Sequence, residues 1–180
     1  NKYIRNDTKI KNSMQTNGTL LTQEWANFFS ENDFGIGISL DGPQKFHDSN
    51  RKFKSGTGSY SSIMRGIDIL QKNNFDIYVI PVVTELVKNK AKELFDFFVE
   101  HGINKFAFTP CYNHVKFPQK HLKNETLIID PDSYGKFMID IYDLWMESNN
   151  PEISIRYLKQ ILIILLGGES NLCLFKKGNL

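Results

Sequence analysis

The chain has 180 residues, with 22 basic and 20 acidic side chains and a formal charge of +2, a length suited to roughly one domain. Its 41% hydrophobic and 13% aromatic content is enough to bury a core, which excludes disorder as the default state, and the near-neutral balance excludes a nucleic-acid protein that works through a basic face. Two cysteines, Cys111 and Cys173, exclude a disulfide scaffold and a CxxC zinc pattern. The longest apolar run, Ile161 to Leu166, falls far short of the ~20 residues that cross a bilayer, and no charged-then-apolar leader opens the chain. The expectation is a soluble, cytoplasmic, mixed domain with neither nucleic acid nor membrane as partner.

Strand-like runs then alternate with amphipathic segments. Residues 9–16 read as a weak strand ending in the turn signal Asn17-Gly18. Thr22 is placed as a helix N-cap, with Glu24 in the first turn and Trp25, Phe28 and Phe29 on one face. Phe34 to Leu40 is a second strand, broken by Asp41-Gly-Pro43, and the polar stretch 44–58 reads as a long loop. Tyr60 to Gln71 carries Ile63, Ile67 and Leu70 at helical spacing. Residues 76–84 are nearly all apolar, as in a strand covered on both faces, but Pro81 cannot donate to a ladder, which predicts a bulge or an early end. A helix follows over 89–101, with Leu94, Phe97 and Phe98 inward and Gly102 just past its end. Residues 105–109 form a fourth strand, 111–130 a long polar loop, and Pro131 opens a helix striped by Tyr134, Phe137, Met138, Ile141, Leu144 and Trp145. A last helix is expected over about 153–166.

This βα alternation predicts an α/β fold with a parallel sheet, either an open doubly wound sheet or part of a (β/α) barrel, which needs ~250 residues when complete. No GxGxxG or P-loop follows any strand, which counts against the usual nucleotide-binding versions. Ligands in such folds sit at the C-terminal strand ends, here at Gln15 to Gly18, Ser39 to Gly42, Val82 to Thr84 and Thr109 to Asn113. Small polar groups beside Gly or Pro at these ends suit a ligand rim, and they equally suit ordinary turns.

Gln15-Thr-Asn-Gly-Thr-Leu-Leu21 and Ile36-Gly-Ile-Ser-Leu-Asp-Gly-Pro43 are followed by His47-Asp48-X-X-Arg51, Gly56-Thr-Gly-Ser-Tyr60 and a helix with Met64-Arg-Gly66. In this order and spacing the chain resembles the radical S-adenosylmethionine (radical SAM) enzymes with a SPASM-type cysteine-rich extension, in particular the anaerobic sulfatase-maturating enzymes and related peptide maturases. The resemblance is close over residues 9–110 and loose over 111–165. It implies a partial (β/α) barrel of the radical SAM type over 1–166, with a SPASM-like extension beginning over 167–180. It also implies reductive cleavage of SAM at a [4Fe–4S] cluster, and oxidation or crosslinking of a residue in a peptide or protein substrate. The CxxxCxxC loop that holds that cluster, and the GGEP-type strand end, are not among these residues. The chain is therefore expected to be a piece of a longer protein whose first two barrel strands precede Asn1, so that its four strands are barrel strands three to six.

The same resemblance assigns roles. Ser39 is implied to bond the ribose or methionyl part of SAM, with Asp41 as a candidate for ribose hydroxyls or for its own turn. Arg51 is a candidate for the SAM carboxylate, since a guanidinium fork matches that geometry. Val82 would line the adenine pocket, and Gln15 and Asn17 would face the cavity and orient the substrate peptide. Cys173 would open the cysteine set of auxiliary [4Fe–4S] clusters. Beside these, His47 and Asp48 read as loop braces rather than a catalytic dyad, and no nucleophile in register supports acyl transfer. Cys111 with His114 and His121 falls short of the four ligands of a closed zinc site. A non-catalytic α/β module that binds a small ligand or a peptide is the alternative. Residues 9–16, left as an edge strand, would invite self-association.

Overall fold

The computed structural model describes residues 10–112, 127–172 and 175. Five parallel strands form one sheet in the order β1 (Asn12–Thr16), β2 (Phe34–Ile38), β3 (Tyr78–Val79), β5 (Lys105–Phe106) and β7 (Ser154–Ile155). A second pair, β4 (Val82–Val83) and β6 (Thr109–Pro110), is also parallel and continues β3 and β5 in the same register. Helices α1 (Gln23–Glu31), α2 (Gln44–Asn50), α3 (Tyr60–Lys72), α4 (Ala91–Glu100), α5 (Pro131–Ser148) and α6 (Arg156–Leu165) fill the connections.

Pro81 explains the break between β3 and β4. It removes one donor, yet its carbonyl still accepts from Thr109 N at 2.9 Å. The flanking rungs Ala107 N to Val79 O and Cys111 N to Val83 O, at 2.9 and 2.8 Å, keep the two strands in step. The predicted interruption is present, and the strand direction survives it.

Side chains on neighbouring strands at the same register share a face. One row, Ile38, Val79, Phe106 and Ile155, is wholly buried beneath the helices. Ile63, Ile67, Leu70, Leu94, Phe98, Phe137 and Ile141 complete that core. The adjoining row, Gln15, Gly37, Tyr78, Lys105 and Ser154, lies on the opposite face. It is polar apart from its glycine. Residues 76–84 place apolar side chains on both faces, Val79 and Val83 fully buried on one and Ile80 and Val82 half-buried beside Tyr78 on the other.

Several local expectations hold. Thr22 caps α1 by accepting from Trp25 N, Gly102 follows α4 with φ +66°, and Pro131 opens α5, where the structure adds an Asp130 cap that accepts from Ser133 N at 2.9 Å. Burial of the α5 stripe is strongest at Phe137, Ile141 and Trp145, and the Trp145 indole donates to Ile153 O at 3.0 Å. On α1, Phe29 is buried whereas Trp25 and Phe28 remain about half exposed.

Two expectations are corrected. The stretch 44–58 is not all loop, because 44–50 forms α2. Its sequence has no apolar period, and what holds it is the fully buried His47 together with Asp48. The last helix begins at Arg156, since Ser154 and Ile155 instead pair with Lys105 and Phe106 as β7. The described residues therefore carry five sheet positions rather than four.

Candidate functional site

The polar strand ends gather on one rim, as parallel order requires. Ser39 N donates to Thr16 O at 2.9 Å, which carries the β1–β2 ladder one rung past the strands. Beside it, Gln15 Nε2 donates to Ser39 Oγ at 3.2 Å. Asn17 turns its side chain inward on its own loop, where Oδ1 accepts from Thr19 N and Thr19 Oγ1 at 3.2 and 3.1 Å. Val82 is half-buried on the next strand, and the rim continues to Thr109 and Cys111. Among the described residues the buried Thr84 hydroxyl at this end has no hydrogen-bond partner.

Next to the rim lies a buried polar network. Asp41, 3% exposed, takes a two-pronged bond from Arg51, Nε to Oδ2 at 2.7 Å and Nη2 to Oδ1 at 3.0 Å. Its Oδ1 also accepts from Val82 N at 3.0 Å. Ile80 N donates to Ile38 O one rung earlier, so the Asp41 carboxylate supplies the acceptor that β2 no longer offers once it has turned away. Asp41 N in turn donates to His47 Nδ1 at 3.2 Å, and His47 Nε2 stands 2.9 Å from Ser59 Oγ. Ser59 Oγ donates to Arg51 O at 3.0 Å. With Nδ1 accepting and Ser59 Oγ committed as a donor to Arg51 O, Nε2 carries the imidazole proton. Burial holds the His47 pKa below its ordinary 6.5, against the raising effect of Asp41 and with Arg51 adding to the lowering.

Asp48 completes the connection. Its Oδ1 accepts from Tyr60 N, at the start of α3, at 2.9 Å. Ser59, at the N-cap position, makes no such bond with its own side chain. A Cβ on Gly58 would fall 2.1 Å from the Asp48 carboxyl carbon, so the second glycine of Gly56-Thr-Gly58 is the space through which Asp48 reaches the helix.

His47 and Asp48 are thus braces with defined partners. The guanidinium fork of Arg51, expected at a ligand carboxylate, grips Asp41, and both Asp41 oxygens are engaged. The Asp41–Arg51 pair, the Val82 amide rung and the Asp48 cap were not legible as contacts in sequence; the only signal was the close spacing of Asp41, His47, Asp48 and Arg51. Burial raises the Cys111 thiol pKa, with Asp41 adding to the effect. Cys173, His114 and His121 lie outside the described residues. Among the described residues no cluster of three or more His, Cys, Asp or Glu is placed to hold a metal, and no helix is long and apolar enough to cross a membrane.

The chain is similar to the cysteine-type anaerobic sulfatase-maturating enzyme of Clostridium perfringens, at 34% identity over 96% of this chain and 46% of that protein. It is also similar to the serine-type anaerobic sulfatase-maturating enzyme of Bacteroides thetaiotaomicron, at 32% identity over 98% of this chain and 45% of that protein. The chain thus spans under half the length of these curated relatives. Among solved structures it matches native anSMEcpe with bound AdoMet, with TM-score 0.79 and 33% identity over 93% of this chain and 46% of that one. The same protein with bound AdoMet and the Cp18Cys peptide matches with TM-score 0.80 and 32% identity, over the same shares. The parallel sheet, with its strand ends gathered on one rim, is the radical SAM fold in part, with the barrel not closed. The sequence pattern of the radical SAM superfamily matches residues 1–98, and the chain belongs to that superfamily.

Proposed function

We propose that these residues form the SAM-facing strands of a radical SAM maturase that oxidises or crosslinks a residue of a peptide or protein; the relatives named as sulfatase-maturating enzymes support a maturase. The observation that carries this reading is the Gln15–Ser39 pair on adjoining strand ends, in a fold whose solved counterparts hold AdoMet and a peptide. Ser39 Oγ accepts from Gln15, which leaves its own O–H to donate to a ligand oxygen or nitrogen. Half-buried Val82 would offer apolar surface for the adenine ring, and the exposed Gln15 would face the substrate peptide, with Asn17, whose Oδ1 is spent on Thr19, reaching it through its amide nitrogen.

Asp41 fits direct SAM contact poorly, because both of its oxygens are engaged by Arg51 and Val82 N, and Arg51 spends the Nε–Nη2 edge of its fork on Asp41. Their part in this reading is to hold Val82 and the α2 connection beneath the ligand. Bound SAM, with a reduced [4Fe–4S] cluster, would supply the hydrogen-abstracting chemistry. Such a cluster needs three closely spaced thiolates, which Cys111 and Cys173 do not provide, so no step at the cluster is assigned to these residues. Residues 1–166 would be barrel and 167–180 the start of a SPASM-like extension, with Cys173 the first ligand of its auxiliary [4Fe–4S] clusters. A reducing cytoplasm suits both the chemistry and the low cysteine content. The place of β1 at the edge of the described sheet also suits pairing between copies of a polypeptide of this sequence.

The test uses the protein expressed from its entire reading frame and reconstituted anaerobically with iron and sulfide. It should bind SAM, release 5′-deoxyadenosine when reduced, and convert a cysteine or serine in a sulfatase-type peptide to an aldehyde or a crosslink. Peptide binding without SAM binding would instead establish the non-catalytic module.

A further inference from the structure

Gln15 and Gly37 are register partners on β1 and β2, and Ser39 follows Gly37 on the same face. A Cβ built on Gly37 would lie 1.9 Å from Gln15 Oε1, 2.9 Å from Cδ and 3.5 Å from Nε2. All of its nearest neighbours are thus atoms of one carboxamide. The carboxamide occupies the space over β2 that the missing side chain leaves, its oxygen toward Gly37, and from there Nε2 reaches Ser39 Oγ at 3.2 Å. On the other side of Gly37 the row rises again to Tyr78. Gly37 is therefore a dip one residue wide, filled by the end of Gln15. Its φ is not in the left-handed region, so backbone conformation does not demand glycine here. The demand comes from the side chain lying over it.

We infer that Gly37 is a positioning residue for SAM: by seating the Gln15 carboxamide it orients the Ser39 hydroxyl, so that the Ser39 proton faces the ligand. This rests on the reading of Ser39 as a SAM contact. Because the displaced group is the end of a flexible side chain at an exposed position, Gly37→Ala should be accommodated by swinging Gln15 away, at the cost of the Gln15–Ser39 bond rather than of the fold.

The experiment is calorimetric titration of SAM into the reconstituted full-length protein, with thermal melting of every variant. The variants are Ser39→Ala, Gln15→Ala, Gly37→Ala and the double variant Gln15→Ala/Gly37→Ala. Gly37→Ala should lower SAM affinity by about two- to tenfold, the range for one neutral hydrogen bond, with a melting temperature close to that of the parent. In the Gln15→Ala background the same substitution should cause no further loss, since its clash partner is gone. A Gly37→Ala protein that melts early but recovers in the double variant would also support the seat. Equal losses in both backgrounds, or a double variant that fails to fold, would overturn it. Parent-like affinity in Gly37→Ala alongside weakened binding in Ser39→Ala would overturn the inference and leave the SAM reading standing. Parent-like affinity in Ser39→Ala would overturn that reading and the inference with it.

Discussion

At the scale of single residues, His47 shows how burial and partners select a protonation state. Its imidazole is fully buried, accepts from Asp41 N and stands against Ser59, with Asp41, Asp48, Arg51 and the Tyr60 ring around it. A second proton would abolish the acceptor for Asp41 N and charge a group that burial keeps neutral. The folded pKa lies below the unfolded 6.5, so between those two values the unfolded chain binds more protons. Stability must therefore fall as the pH drops below about 6.5 and level off once the folded pKa is passed. Denaturant melts of the parent and His47→Asn, taken between neutral and mildly acidic pH, should show this acid-side loss in the parent and less of it in the variant. Equal slopes would mean that His47 carries no proton linkage.

At the scale of elements, two carboxylates replace backbone partners that the chain itself cannot supply. Asp48 serves as the missing cap of α3. Asp48→Ala should cost about 1 kcal/mol, the usual worth of an N-cap, and Gly58→Ala should cost a similar amount by pushing the carboxylate aside. Adding Gly58→Ala to Asp48→Ala should cost much less than it does alone, as double-variant melts would show. Asp41 extends the β2 edge to Val82 and pins Arg51. Removing one member of a largely buried pair leaves the other uncompensated. Arg51→Ala should therefore cost about 3 kcal/mol, discounted because the Arg51 side chain is 31% exposed. Asp41→Asn/Arg51→Ala should then lose less than the sum of the single changes. If Arg51→Ala instead weakens SAM binding with no change in unfolding free energy, the guanidinium acts on the ligand and not on Asp41.

At the scale of the whole molecule, β1 sits at one edge of the sheet with its strand residues largely exposed. Thr16 O accepts from Ser39 N, so by alternation the peptide groups of Asn12, Met14 and Thr16 face β2 and those of Ser13 and Gln15 face away. Among the described residues no strand pairs with this row, and an edge of this kind is a template for another chain. A polypeptide of these 180 residues should self-associate with rising concentration in sedimentation velocity runs. Ser13→Pro, which removes an outward donor and leaves the β1–β2 ladder intact, should reduce that association. Equal sedimentation of the two would remove β1 as the interface.

Periodicity and turn chemistry alone were enough to give the βα alternation, the parallel sheet, the Thr22 cap, the interruption at Pro81 and the α5 stripe, because each is written within a few neighbouring residues. The strand ends that make the rim were legible for the same reason. Helix α2 and strand β7 were not. Neither has an apolar period of its own: α2 is held by the buried His47 and by Asp48, and β7 is two residues long and exists through its pairing with Lys105 and Phe106. The commitment of Arg51 to Asp41, the Asp41 rung to Val82, and the seat of Gln15 over Gly37 all join residues from separate elements. Such contacts are set by how strands and loops stack in space, and only the folded chain brings those groups within hydrogen-bonding reach.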